Sequence, residues 1–201
     1  MKKIILLIII LSLTGCKSYI ELNDLAIIKS IGITKENKYT LYAEIIDEID
    51  KNNIPKTKII NVNADDITSL FTNIKSIVNK EIYLSHIDLI ILDEHLNKND
   101  LENIITFFLD HQEIRNDFLT VISSEIEKVL KNSKYDEIEE IIMTNKESKK
   151  IIKINFDEVM LNFLNNKEIK LSKIIYDNEI IFDSNYLYKN NKFERIINEK
   201  N

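Results

Sequence analysis

The sequence predicts a mixed α/β fold of the α+β kind. A small mixed sheet is covered by amphipathic helices, and a smaller α+β region containing hairpins follows it. Three observations carry this expectation. Apolar runs of strand length recur along the chain, such as Ile87-Asp88-Leu89-Ile90-Ile91-Leu92. Between them stand segments with apolar residues at helical spacing, such as Ile67, Leu70, Phe71 and Ile74. The two kinds of segment are interleaved, and a sheet fed by that order is covered by helices on at least one face.

Each element has its own local reason. Leu25–Ile33 and Tyr39–Ile46 are apolar strands joined by a polar turn at Thr34–Lys38, so they are expected to pair antiparallel. A charged connection, Asp47–Pro55, leads to a third short strand at Lys58–Val62. The period then changes. Ile67, Leu70, Phe71, Ile74, Ile77 and Val78 line one helix face, with Asp65 or Asp66 as N-cap. Ile87–Leu92 reads as a central buried strand. Asn99-Asp100-Leu101-Glu102 has capping-box form and opens a helix that buries Leu101, Ile104, Ile105 and Phe108. Phe118–Ile122 is a further strand. Ser124-Glu125-Ile126-Glu127 has the same capping form and opens a short helix ending near Asn132. Tyr135, Ile138, Ile141 and Ile142 mark one more helix.

The polar stretch Met143–Lys150 is the expected boundary between an N-terminal domain, 25–143, and a smaller region, 151–201. In the latter, Phe156, Val159, Met160 and Phe163 lie at helical spacing behind Asn155 as cap. Strands at Ile169–Tyr176 and Glu179–Phe182 turn at Asp177-Asn178, and Tyr186–Tyr188 and Phe193–Ile197 turn at Asn190-Asn191.

The front of the chain has a different character. Lys2 and Lys3 precede an unbroken apolar run, Ile4–Leu13, and then Thr14-Gly15-Cys16. A charged start, a short apolar stretch and a small residue before a cut are the layout of a secretory signal. With the chain's single cysteine next, residues 1–15 resemble a bacterial lipoprotein signal, cleaved between Gly15 and Cys16, with a diacylglycerol on the Cys16 sulfur. A membrane-spanning helix needs about 20 apolar residues. Here Lys17, Ser18, Glu21, Asn23 and Asp24 end the run early, so residues 16–24 read as a polar, lipid-anchored neck. The expected location is the outer face of the cell membrane.

Charge narrows the partners. The chain has 27 basic and 33 acidic residues, a net −6, and removal of Lys2 and Lys3 takes it to −8. Nucleic acid is not an expected partner, because phosphate binding needs clustered Lys and Arg. Charge does not hold such a chain on anionic lipid either, which leaves the covalent tether to do so. With Cys16 carrying lipid, no intrachain disulfide is available. Two glycines, Gly15 and Gly32, cannot make a phosphate-cradling loop.

No catalytic set is apparent. Ser85, His86 and Asp88 are close in sequence, but on a strand Ser85 and His86 point to opposite faces. A triad needs its nucleophile within hydrogen-bond reach of its base. His86 therefore reads as a strand-entry histidine with its ring tied to nearby backbone. His95 and His111 stand at opposite ends of a helical stretch and do not share a metal through it. No cofactor is expected. Phe71, Phe107, Phe108, Phe156 and Phe163 fall on apolar faces and read as core.

Several segments, in order, carry a family resemblance. Behind Cys16 stands Glu21-Leu22-Asn23-Asp24-Leu25-Ala26-Ile27-Ile28, then Ile31-Gly32-Ile33. Tyr83–Glu94 forms a histidine-led strand, with His86, ending in acidic residues. Leu101–Phe108 is followed by His111-Gln112-Glu113-Ile114-Arg115. This pattern resembles the Ger(x)C family, the lipoprotein C subunits of spore germinant receptors. Glu21, Leu22, Asn23, Asp24, Gly32, His86, Glu113 and Arg115 are its family-motif positions here. The resemblance is good from Cys16 to about Asn132. Lys17 stands where the family has Trp, and Thr34 where it has Asp after the Ile-Gly-Ile turn. The sequence given ends where the family continues into a large C-terminal domain, so a short form is expected.

The resemblance implies a non-catalytic subunit on the outer face of the inner spore membrane of a spore-former. It implies integral-membrane A- and B-type subunits as partners, in a complex that responds to nutrients and starts ion and dipicolinate release. Two other roles are compatible with a lipoprotein. A free-standing binding module predicts one dominant concave pocket. A wall hydrolase predicts a strongly perturbed titratable group in a cleft.

Overall fold

A computed structural model describes residues 25–49, 55–147 and 151–196. The signal, Gly15, Cys16, the neck with Glu21–Asp24, and Ile197 lie outside the described residues. The first hairpin forms as expected, with β1 (Leu25–Lys35) antiparallel to β2 (Tyr39–Ile49). β3 (Pro55–Ala64) pairs with β2 and makes that edge a meander. Then come α1 (Ile67–Val78), a three-residue strand β4 (Glu81–Tyr83), β5 (Leu89–Asp93) and α2 (Lys98–Asp110). β6 (Leu119–Ser123) leads into α3 (Ile126–Asn132) and α4 (Tyr135–Glu147). After α5 (Phe156–Leu164) come β7 (Ile169–Asp177), β8 (Glu179–Lys189) and β9 (Lys192–Arg195).

All nine strands belong to one mixed sheet, in the order β3-β2-β1-β5-β6-β7-β8-β9, with β4 beside the start of β1. β1, β5, β6 and β7 are parallel neighbours, and an antiparallel meander flanks them on each side. β5 and β6, in the middle of the sheet, are buried on both faces, which explains their near-continuous apolar runs. Leu89 and Ile91 point to one face of the sheet, Ile90 and Leu92 to the other. α1, α2 and α5 cover the second of these faces, and α3 and α4 cover the first.

A bulge in β1 makes this two-sided core possible. Ala26 and Ile28 face the same layer as Ile31 and Ile33, although a regular strand would turn the second pair away. The register shift between Ile28 and Ser30 restores the facing. On the α1, α2 and α5 side, aromatic rings link the helices. Phe71 stacks on Phe107 at 4.4 Å, Phe108 meets Phe156 edge-on at 4.9 Å, and Phe156 stacks on Phe118 at 5.1 Å.

Several local expectations shift. The N-cap of α1 is Asp66, whose carboxylate accepts from the Ser69 N–H at 2.8 Å. Ile77, expected on the buried face, is 58% exposed in the last turn. The capping box of α2 exists two residues earlier than read. Asn97 accepts from the Asp100 N–H, and Asp100 accepts from the Asn97 N–H. α3 has no box, because Glu125 is its cap and makes no capping bond. Ser123 instead accepts from the Glu125 N–H at 3.1 Å. α4 runs past Met143 to Glu147.

The hairpins from Ile169 onward extend the same sheet. The Thr120 N–H donates to the Ile154 carbonyl at 3.0 Å and the Phe156 N–H to the Phe118 carbonyl at 2.9 Å. Phe156, Val159, Ile169 and Leu171 enter the core shared with β1 and β5. Asn178, Asn190 and Asn191 adopt left-handed backbone at the two hairpin turns, with φ of 61°, 52° and 64°.

Candidate functional site

Parallel strands give the sheet two chemically different ends. The amino end is where β1 begins at Leu25 and where the chain enters β5 and β6. The carboxyl end is where β1, β5 and β6 finish at Lys35, Asp93 and Ser123.

The described motif residues other than Gly32 gather at the amino end. His86 lies in the turn before β5, and Glu113 and Arg115 lie in the loop between α2 and β6; all three are exposed. One hydrogen bond joins the two loops, from the Ser85 hydroxyl to the Glu113 carbonyl at 2.8 Å. Ile114 anchors the second loop, 3% exposed, and its N–H donates to the His111 carbonyl at 3.0 Å. Arg115 pairs with Asp117 at 2.5 Å. That pair holds the guanidinium above its ordinary pKa and the Asp117 carboxyl below the usual carboxylate range, chiefly through the hydrogen bond. Lys29 pairs with Asp88 and lies 5.4 Å from the centre of the Tyr135 ring. Burial, with help from Glu139, pushes the Tyr135 hydroxyl up.

These contacts dissolve the apparent Ser-His-Asp set. Ser85 bonds Glu113, Asp88 bonds Lys29, and the His86 ring lies 5.3 Å from that of Tyr83. The expectation that His86 would tie its ring to backbone gives way to this ring contact, because its turn projects the side chain outward beside β4. His95 and His111 flank α2 as read. His95 Nδ1 lies 2.8 Å from Asp93, and His111 Nδ1 lies 2.8 Å from the Phe107 carbonyl.

The carboxyl end carries a cleft of about 560 Å³ bounded by Thr34, Tyr42, Asp93, His95 and the start of α3. Two of its acids are held by neighbours. Asp93 accepts from the Thr34 hydroxyl and from the His95 N–H, and Glu127 pairs with Lys131 at 2.6 Å. Burial, then the charge of Glu127, holds the Tyr42 hydroxyl above its ordinary pKa. Beside the cleft, Lys173 reaches across β6 to Glu94 at 2.8 Å, a pair 11% and 14% exposed. Lys35 and Tyr39 both donate to Asp100, at 2.8 and 2.9 Å. Sequence reasoning missed Lys173, Glu94 and Asp100, because each partner lies 60 or more residues away in the chain.

Two other clefts, of about 470 and 380 Å³, are comparable in size to this one. Among the described residues, no group of three or more His, Cys, Asp or Glu side chains could hold a metal ion. Among them also, no helix is long and apolar enough to cross a membrane.

Comparison with known proteins places this architecture. Residues 18–175 match the family described as the spore germination protein N-terminal domain. Among curated proteins the chain is similar to spore germination protein KC of Bacillus subtilis (strain 168), with 27% identity over 128 residues. The match covers 58% of this chain and 31% of the relative, so it spans less than a third of that relative's length. No solved structure matches.

Proposed function

Because the chain belongs to the spore germination protein N-terminal domain family, we propose that it is the membrane-anchored, non-catalytic subunit of a nutrient germinant receptor. One observation carries this reading. The family match begins at residue 18, two positions after Cys16, and runs through β1–β6 into β7. Cys16 is the lipid attachment point, and the partners are integral-membrane A- and B-type subunits. The location is the outer face of the membrane, the inner spore membrane in a spore-former.

The tether also supports an orientation. Eight residues, 17–24, separate Cys16 from the first residue of β1. A fully extended chain spans at most about 3.3–3.6 Å per residue, so the amino end of the sheet stays within roughly 30 Å of the lipid. His86, Glu113 and Arg115 lie at that end. Confinement near the membrane raises the effective concentration of this surface around membrane partners. A diacylglyceryl group brings two acyl chains, as stable anchoring requires.

The test is a Cys16→Ala variant in a spore-forming host. The expected outcome is release of the chain from the membrane fraction together with slowed nutrient germination. Membrane retention through a salt wash, or normal germination with the chain released, would overturn the proposal.

A further inference from the structure

We infer that the cleft between the C-terminal end of α5 and the β8–β9 hairpin binds a small organic anion, a carboxylate carried on an apolar body. The cleft measures about 380 Å³, within the roughly 300–1,000 Å³ range of small-molecule sites. Phe163 and Tyr188 wall it, Ile169 lies at its base, and Leu164, 57% exposed, forms its lip. The charged residues around it are Lys98, Lys167 and Lys189, against Glu102 alone. The whole chain carries −6, so this local excess of positive charge runs against the molecule's own sign.

The three lysines are also uncommitted. Nearby Lys170 pairs with Glu168 at 3.0 Å and Lys192 with Glu194 at 3.4 Å. Among the described residues, Lys98, Lys167 and Lys189 have no such partner. Lys98 and Glu102 are one helical turn apart on α2, yet form no ion pair. A single exposed ammonium attracts an anion weakly in water. Several around a concave apolar wall focus the field and raise the local anion concentration.

The site is preformed by its turns. Asn166, Asn190 and Asn191 hold left-handed backbone, with φ of 50°, 52° and 64°, and all three line the cleft. The Lys167 N–H is fixed on the Asn162 carbonyl at 2.8 Å. A carboxylate is then met by the lysines, while an attached hydrocarbon chain covers Phe163 and the exposed Leu164. Apolar area removed from water contributes about 25 cal/mol per Å². Both parts of the ligand are therefore required.

This inference rests on the cleft and is independent of the receptor role. The experiment is amide NMR of the ¹⁵N-labelled full chain titrated with hexanoate, hexan-1-ol and inorganic phosphate. Hexanoate is expected to give saturable shifts at Asn166, Lys167, Lys189 and Asn191, with affinity at least about tenfold above hexanol or phosphate. A Lys167→Ala/Lys189→Ala double variant loses at least about tenfold in hexanoate affinity, while Lys170→Ala does not. Both substituted lysines are exposed, and an unchanged spectrum elsewhere verifies the fold. Equal affinity for hexanol and hexanoate, phosphate binding as tight as hexanoate, or no loss in the double variant would each overturn it.

Discussion

Gly32 stands where a helix leaves no room for a side chain. A Cβ there would meet Ile126 Cγ2 at 2.1 Å and Leu130 Cδ1 at 3.3 Å. Its backbone is ordinary strand, so close approach of α3 to β1 is the whole reason for glycine. Gly32→Ala is expected to lower stability by about 1–3 kcal/mol, as overpacked cores do. Urea denaturation measures it. The penalty should shrink in an Ile126→Ala background, because the clashing methyl is gone; strict additivity would refute the contact. Sequence alone singled out Gly32 as a motif position but not its reason, since Ile126 lies on an element distant in the chain. Thr120 poses the opposite case. It is fully buried in β6, and its hydroxyl has no hydrogen-bond partner among the described residues. Thr120→Val, of nearly the same shape, is expected to leave stability unchanged or raise it by about 1 kcal/mol, because a buried unpaired hydroxyl is removed. A loss of stability on thermal melting would show that the hydroxyl has a partner.

At the scale of elements, the Lys173–Glu94 pair ties the middle of β7 to the carboxyl end of β5 across β6. Burial works to lower the Lys173 pKa, but the hydrogen bond and charge of Glu94 outweigh it, and the net shift is upward. A raised lysine pKa stabilises the fold below the ordinary value near 10.4. That contribution fades as pH rises through the folded-state value. The expected result is loss of stability in alkaline solution, blunted in a Lys173→Met/Glu94→Leu variant. Lys173→Met alone, leaving the partly buried Glu94 without its partner, should cost about 1–3 kcal/mol. A cost near zero, or an unchanged alkaline profile in the double variant, would argue that the clamp is inert.

Helices and long strands were legible because burial imposes a period. The capping boxes were less so. Asn97 and Asn99 both stand before an acid three residues on, and tertiary packing of Leu101 and Ile104 decides between them. β4 escaped because three residues of alternating exposure carry no apolar run.

At the scale of the molecule, the α+β content was readable, but its unity was not. A polar stretch at residues 143–150 looks like a linker from sequence. The sheet nevertheless passes from β6 to β7, because backbone pairing between distant segments leaves no local trace. The gathering of His86, Glu113 and Arg115 at one end was equally invisible, since parallel topology alone brings the two loops together. That end lies beside the entry of β1, and the proposed orientation toward the membrane rests on that placement. Photocrosslinking from defined positions tests this most directly. A photoreactive residue at His86 or Glu113 should capture an integral-membrane subunit in native membranes, and one at Glu36, at the far tip of the β1–β2 hairpin, should not. Capture from Glu36 with none from His86 or Glu113 would contradict the orientation.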